Sequence, residues 1–187
     1  MRAVLLEVPQ SMIDERRRTG ADRWDEEWDG ELHMAPPPSG DHQQLGSRLL
    51  RVLGPLAEAR GLVAVYETGL FRAGAERDYR IPDHTYARAD QLSRRGVEGG
   101  PPLVIEIRSP ADETYEKLDW YAAQGVGEVL VIEPDTRAVE LFVLRGGRLV
   151  LVQGGSEGVR IAALEVTVAA VAGPLLRLSW DGGSADI

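Results

Sequence analysis

The chain has 187 residues, of which 43% are hydrophobic and 27% charged, as is typical of one ordered globular domain of ~100–200 residues. The formal net charge of −9 argues against a protein that coats nucleic acid non-specifically. Because the chain has no cysteine, disulfides, zinc–thiolate sites, iron–sulfur clusters and thiol nucleophiles are excluded. No apolar run approaches the ~18 residues of a membrane span, so we expect a cytoplasmic protein without a membrane partner.

Periodicity predicts two helices and three strands in the first half of the chain. Leu45, Leu49 and Leu53 recur at helical spacing, and Gly61 is placed to end that helix. The predicted helices cover residues 11–18 and 41–60, and the predicted strands cover 30–34, 62–66 and 85–89.

The second half begins with a strand over 103–107 (LVIEI), whose apolar character is typical of a strand buried on both faces. Ser109 fits an N-cap, Pro110 a first helical position and Gly125 a helix stop, so we expect a helix between them. Further predictions are a strand over 128–133, a hairpin of 138–144 and 148–152, a strand and short helix within 159–178, and a frayed end at 181–187.

The strand–helix–strand unit from 103 to 132 predicts two parallel strands joined by a right-handed crossover. The expected fold class is therefore an α/β (α+β) sandwich in which helices flank a mixed β-sheet. We expect a single domain over 1–187, with a core at about 28–152 and a C-terminal extension at 153–187.

Three side chains stand out for chemistry. Glu106 lies inside the buried-type strand, where a carboxylate is costly unless it is paired or coordinates a metal; an arginine partner or an exposed strand end is the alternative. Asp83 follows Pro82 at the mouth of a strand, although a Pro-Asp dipeptide is also a common turn. Lys117 is the only lysine among 21 basic residues, and its alternative is a solvated helix charge paired with Glu113.

Together the three side chains indicate more than each does alone. Two carboxylates on sheet strands can hold Mg²⁺, which prefers one or two carboxylates together with water and phosphate oxygens. A nearby lysine can orient or deprotonate the attacking water. Two carboxylates and a lysine are the smallest set of side chains expected for metal-dependent phosphodiester hydrolysis.

The ordered motifs IPD (81–83), PLVIEIRSP (102–110) and EKLDWYAAQGVGEVLVI (116–132) resemble the PD-(D/E)XK nuclease superfamily. More narrowly, with DGELHMAPPPSGDHQ (29–43), the chain resembles the bacterial Uma-type family of restriction endonucleases. The resemblance implies a restriction-endonuclease-like core.

That resemblance also implies a site. Asp83, Glu106 and the backbone carbonyl of Ile107 would bind Mg²⁺, with Mn²⁺ as a possible substitute. The superfamily's usual lysine position holds Arg108, which cannot act as a base because arginine stays protonated. Lys117, on the following helix, would take the place of that lysine.

Three further residues are candidate substrate contacts. His42 matches a histidine of the family's opening segment, and it would contact a phosphate or simply cap its helix. Arg108 shares a strand face with Glu106. Tyr121 lies one helical turn beyond Lys117. Glu67 is a weaker candidate for a third acid, and the four tryptophans are interpreted as core or interface anchors.

The predicted function is a Mg²⁺-dependent endonuclease that hydrolyses DNA phosphodiester bonds, with Asp83, Glu106 and Lys117 as catalytic residues. We expect DNA as substrate and a homodimer, and no Gly-rich loop indicates a nucleotide cofactor. The net charge opposes tight DNA binding unless arginines near the motifs form a local groove: Arg72, Arg77, Arg80 and Arg108. The alternative is a catalytically silent or weakly active module that binds a partner or dimerises. A phosphatase using the same site is also open.

Overall fold

A computed structural model describes residues 8–75, 77–110, 112–154 and 157–187. Within these ranges it contains three α-helices: α1 (Gln10–Thr19), α2 (Gly40–Glu58) and α3 (Leu118–Gln124). Short 3-10 helices cover Ala21–Trp24, Ala89–Gln91 and Tyr115–Lys117. In this described part of the chain, no helix is long and apolar enough to cross a membrane.

Fifteen strands lie in the same ranges: β1 (Glu26–Trp28), β2 (Glu31–His33), β3 (Leu62–Tyr66), β4 (Leu70–Phe71), β5 (Tyr79–Arg80), β6 (His84–Arg88), β7 (Val97–Glu98), β8 (Leu103–Ile107), β9 (Glu128–Ile132), β10 (Val139–Arg145), β11 (Arg148–Val152), β12 (Val159–Ile161), β13 (Val166–Val171), β14 (Leu175–Trp180) and β15 (Gly183–Asp186). They form three sheets. The five-stranded sheet has the order β2-β1-β5-β4-β7, the six-stranded sheet β11-β10-β9-β8-β6-β3, and the four-stranded sheet β12-β13-β14-β15.

The six-stranded sheet is mixed, as predicted. Its β8 and β9 are parallel and joined through α3, while its other strand pairs are antiparallel. All five residues of β8, and all five of β9, are buried. The hydrophobic runs LVIEI and EVLVI therefore mark strands covered on both faces.

Alternation along β8 sends side chains to two different layers. Leu103, Ile105 and Ile107 join a hydrophobic cluster with α2 and the four-stranded sheet. Val104 joins a second cluster with Trp120 and Tyr121 of α3. Glu106 has the same parity as Val104, so its side chain points toward α3.

The C-terminal segment differs from the prediction. The expected short helix within 159–178 is wrong, because β12 to β14 are antiparallel strands whose buried residues, such as Val166 and Val168, recur every second position. The frayed end is wrong too. Ile187 is 6% exposed and exchanges backbone hydrogen bonds of 2.8 and 2.9 Å with Leu176.

The helix expected from Ser109 begins later, at Leu118, after the 3-10 turn Tyr115–Lys117. The carboxylate of Asp112 accepts hydrogen bonds from the backbone N–H groups of Ser109 and Thr114, which makes this segment a turn instead. Ala111, within the predicted helix, lies outside the described residues. Gly125 ends α3 in the left-handed conformation, as predicted.

Candidate active site

The two predicted acids meet where β6 begins beside β8. His84 pairs with Ile105 in the antiparallel register, so Asp83 comes opposite Glu106. Asp83 Oδ2 accepts the backbone N–H of Ile107 at 2.6 Å, which fixes the carboxylate at the sheet edge. Because the N–H and C=O of one residue in an extended strand point to the same side, the carbonyl of Ile107 is expected on the side of β8 where Asp83 lies.

Both carboxyl groups are poorly hydrated. The side chains of Asp83 and Glu106 are 13% and 5% exposed. Burial and the negative charge of Glu106 raise the pKa of Asp83 well above its usual value. Burial also raises the pKa of Glu106, while Lys117 and Tyr121 partly offset that rise. The pair therefore repels itself when both groups are ionised, and an added cation would relieve the repulsion.

Lys117 lies at the same place. Its Nζ is 2.8 Å from Glu26 Oε1 and 3.4 Å from Glu106 Oε1, and its side chain is 13% exposed. Burial lowers the pKa of Lys117, but the charges of Glu106 and Glu26 outweigh this effect and raise it above the usual range. Lys117 is therefore an ammonium that donates hydrogen bonds. The alternative of a solvated helix charge does not hold, because its described partners are these two buried acids.

The residues present fit a divalent cation. Three carboxylates, Glu26, Asp83 and Glu106, surround one ammonium, which leaves an excess of negative charge in a buried place. Among the described residues no group of three or more histidine, cysteine, aspartate or glutamate side chains is arranged to hold a metal. A Mg²⁺ site needs fewer protein ligands, since two carboxylates and a carbonyl leave room for water and phosphate oxygens.

Tyr121 and His42 contact the acids directly. The Tyr121 hydroxyl donates a hydrogen bond to Glu106 Oε1, so it orients that carboxylate. His42 Nε2 lies 2.9 Å from Asp83 Oδ1, a distance that would make an ion pair only with a protonated imidazole, and the two atoms are not aligned for a hydrogen bond. The cap of α2 is Ser39, whose Oγ accepts the N–H of His42 at 3.2 Å. The His42 imidazole therefore belongs to the site, and burial lowers its pKa.

Arg108 is turned to other partners. It lies 3.2 Å from Glu133 and 3.9 Å from Asp112, and its guanidinium covers the ring of Tyr115. None of its described contacts is with Asp83 or Glu106, so a role in substrate binding stays a prediction. Glu67, the weaker candidate, binds the side chain of Gln43, and its N–H donates to the carbonyl of Asp83 at 3.0 Å.

Sequence reasoning missed Glu26. Its side chain, 8% exposed, reaches Lys117 from β1, a strand of three residues that no periodicity reveals. The segment that carried the family resemblance begins at Asp29, three residues too late to include it. Glu26 stands in an acidic stretch with Asp25 and Glu27, and only the folded chain shows which acid faces the site.

Arg80 of β5 contacts the rings of two tryptophans. The Arg80 guanidinium lies between Trp28 and Trp120, 4.3 and 4.5 Å from their ring centres. Asp78 Oδ1 accepts hydrogen bonds from both Arg80 and Trp120 Nε1, at 3.1 and 2.9 Å. These contacts join the five-stranded sheet to α3, the helix that follows Lys117.

Comparisons with known proteins support the fold and the family. A crystal structure of a putative nuclease belonging to DUF820 from Anabaena variabilis has a TM-score of 0.61 at 17% identity, covering 75% of this chain and 83% of that one. Similarity at this identity shows the fold alone, and it confirms the predicted mixed-sheet, nuclease-like architecture. A chain of the DrdV–DNA complex aligns with a TM-score of 0.35 at 17% identity, over 60% of this chain and 10% of that one, which carries no argument. No curated protein matches the chain.

The family model of Uma2, described as putative restriction endonuclease, matches residues 15–172. The matched range contains every site residue named above and most of the chain. The protein therefore belongs to the Uma2 family of putative restriction endonucleases.

Proposed function

We propose that this protein is a Mg²⁺-dependent endonuclease that hydrolyses phosphodiester bonds of DNA. The family supports a nuclease. The observation that carries the finer proposal is the meeting of Asp83 and Glu106 across β6 and β8, next to the only lysine of the chain. A homodimer, with one site for each strand of a duplex, is part of the proposal.

In the proposed mechanism, Asp83, Glu106 and the carbonyl of Ile107 would hold Mg²⁺. When bound, the ion supplies the positive charge that activates a water and stabilises the phosphoryl oxygens. The Lys117 ammonium, near Glu106, donates a hydrogen bond that orients the attacking water. It does not accept the proton, because its acidic neighbours keep it charged. The attacking water would pass its proton to solvent, and solvent would protonate the leaving oxygen, so one water is consumed for each bond that is cleaved.

Tyr121 and His42 support the same acids. Tyr121 fixes the rotamer of Glu106 through its hydroxyl, and the buried imidazole of His42 restricts Asp83 from the side of α2. Both contacts reduce the movement of the carboxylates before the substrate arrives. The proposal therefore assigns these two residues to positioning the acids.

DNA binding is expected to be weak without the metal. Each of the four arginines near the motifs already has an acidic partner: Arg72 with Asp78, Arg77 with Glu27, Arg80 with Asp78 and Arg108 with Glu133. Paired arginines neutralise fewer phosphates, and the net charge of −9 repels the backbone. Mg²⁺ at the site would supply attraction that the side chains lack.

The test is cleavage of single-stranded, duplex and structured DNA in Mg²⁺ or Mn²⁺ by the wild type and by Asp83→Asn and Lys117→Ala. Both variants are expected to lose at least about 100-fold in rate, because Asp83 would hold the ion that stabilises charge at the phosphate and Lys117 orients the attacking water. Asp119→Asn is the matched control, since Asp119 is an exposed acid on α3, and it should cleave like the wild type.

Two outcomes would contradict the proposal. Full activity in Lys117→Ala would remove the role of that side chain. Metal binding that is lost in Asp83→Asn, without cleavage of any DNA by the wild type, would favour the silent binding module. That alternative draws support from the ion pairs that already occupy the arginines near the site.

A further inference from the structure

We propose that Glu26 is a positioning residue that holds the Lys117 ammonium beside Glu106 and keeps it there when Glu106 binds a cation. The inference rests on the proposed function, because it assigns Lys117 and Glu106 to one catalytic site. It concerns a residue outside the acids and the lysine that make up the predicted site.

The first support is the difference between the two contacts of Lys117. Nζ lies 2.8 Å from Glu26 Oε1 and 3.4 Å from Glu106 Oε1, so the closer carboxylate is the one outside the predicted metal site. If Glu106 turned its charge toward a metal ion, the contact with Glu26 would still hold the ammonium in place.

The second support is that Glu26 is itself fixed. Its Oε1 also accepts the backbone N–H of Ile81 at 2.8 Å, and its Oε2 accepts Trp28 Nε1 at 2.7 Å. Trp28 is in turn held between the guanidinium of Arg80 and the ring of His33, 4.3 and 3.9 Å away. A carboxylate bound on both oxygens by rigid donors has little freedom to follow a moving lysine.

The third support is a coupling between two parts of the site. Ile81 lies two residues before Asp83, so one oxygen of Glu26 binds both the ammonium and the segment that carries the first metal-binding acid. Glu26 thereby sets the position of Lys117 relative to Asp83, although Lys117 lies just before α3 and Asp83 just before β6.

Charge explains why a second acid is useful here. With Glu26 present, the lysine charge is compensated away from the metal ligands, and Asp83 and Glu106 keep their combined negative charge for a cation. Without Glu26, the ammonium would pair with Glu106 alone and compete with the metal for that carboxylate.

The chain offers a direct probe of this arrangement, because Lys117 is its only lysine. Lysine labelled with ¹⁵N gives a single side-chain signal in the NMR spectrum. In the wild type we expect a protected, slowly exchanging ammonium signal. Glu26→Gln should shift that signal and speed its exchange with water, since the closest charged partner is gone.

Glu27→Gln is the matched control. Glu27 is the next residue of β1, points to the opposite face and pairs with Arg77, so the Lys117 signal should be unchanged. An unchanged Lys117 signal in Glu26→Gln would overturn the proposal. This readout requires neither metal nor cleavage, so it decides the position of Lys117 even if the protein is not a nuclease.

Metal binding provides the second readout. Glu26→Gln should weaken Mg²⁺ or Mn²⁺ binding by about tenfold, as removal of an outer partner of a metal site commonly does. In the Lys117→Met background, which has no competing ammonium, the same substitution should have no such effect. Equal weakening in both backgrounds would show that Glu26 does not act through the lysine.

Kinetics complete the test. At saturating Mg²⁺, Glu26→Gln should lower kcat and leave KM for DNA unchanged, because Glu26 does not contact the substrate. The double variant Glu26→Gln/Lys117→Met removes both charges together and serves as the folding control, checked by circular dichroism. A wild type that neither binds metal nor cleaves DNA would defeat the proposed function, while the NMR comparison would still settle the position of Lys117.

Discussion

The strand pair β8–β9 carries a buried glutamate at each end, and the two are used differently. Glu128 of β9 accepts the backbone N–H groups of Ala162 and Ala163 at 2.9 and 2.8 Å, which ties the central sheet to the four-stranded sheet. Glu106 of β8 is bound by Lys117 and Tyr121 and lies opposite Asp83. Glu128 is compensated by two backbone amide groups, whereas Glu106 is contacted by the Lys117 ammonium and the Tyr121 hydroxyl.

The difference shows how to recognise a structural acid in this fold. Glu128 needs nothing further, because two amide donors compensate its burial. Glu106 faces a second buried carboxylate, Asp83, whose pKa it raises, and a bound cation would relieve the repulsion between the two acids. Buried acids at equal depth can therefore differ in function, and their partners distinguish them.

The largest effect should come from Glu106→Gln. Metal-dependent cleavage is expected to fall at least about 100-fold, since a ligand and its charge are lost. The free energy of unfolding should stay within about 1 kcal/mol of the wild type, because Lys117 keeps Glu26 and the repulsion with Asp83 disappears. Cleavage assays and urea denaturation measure the two quantities. Full activity together with a loss of stability would make Glu106 a structural acid like Glu128.

Glu128→Gln should show the opposite pattern. An amide can accept with only one oxygen, so one backbone N–H of Ala162 or Ala163 loses its partner, at a cost of about 1–3 kcal/mol. Urea denaturation measures this loss. Affinity for Mn²⁺ should equal that of the wild type. Weakened metal binding in Glu128→Gln would show that the two ends of the strand pair are not independent.

Ile187→Ala extends the comparison to the four-stranded sheet. Ile187 is 6% exposed and packs in the main hydrophobic cluster, so we expect a loss of about 1–3 kcal/mol in the free energy of unfolding. Thermal and urea unfolding check it. A neutral substitution would mean that the end of the chain is frayed after all.

The smallest effect concerns the metal itself. At a Mg²⁺ concentration ten times its dissociation constant, the free energy of unfolding should rise by about 1.4 kcal/mol. The rise should vanish in Glu106→Gln and persist in Glu128→Gln. Unfolding curves with Mg²⁺ and with a chelator measure it, and an equal rise in both variants would place the bound ion elsewhere.

The elements that could be predicted from the sequence are those whose pattern is local. LVIEI, EVLVI, the hairpin at Gly146-Gly147 and the helix stop at Gly125 are encoded by runs of apolar residues and by glycine. The start of α3 was missed because the Asp112 carboxylate turns the backbone at Ser109, which competes with a helix cap made of the same residue types. Of the C-terminal strands only one was expected within 159–178, because in short, largely apolar runs the alternation of buried residues shows only in the folded chain.

Local sequence patterns likewise separate the site residues that could be predicted from the one that could not. Asp83, Glu106 and Lys117 lie in segments with recognisable patterns, and the fold brings them together. Glu26 lies 80 residues before Glu106, and its approach depends on the pairing of β1 with β5 at Glu27 and Tyr79. The contact of Glu26 with Lys117 depends on the pairing of two short strands and on one side-chain rotamer, so no local sequence pattern predicts it.

The aromatic rings on either side of Arg80 have a practical consequence. Trp28 and Trp120 are two of the four indoles in the chain, and both lie within 5 Å of one cationic group beside the site. The intrinsic tryptophan fluorescence of the protein should therefore be sensitive to small displacements of Arg80 relative to these two rings. Ligand loading could be followed by fluorescence in the unlabelled protein, without a dye or a tag.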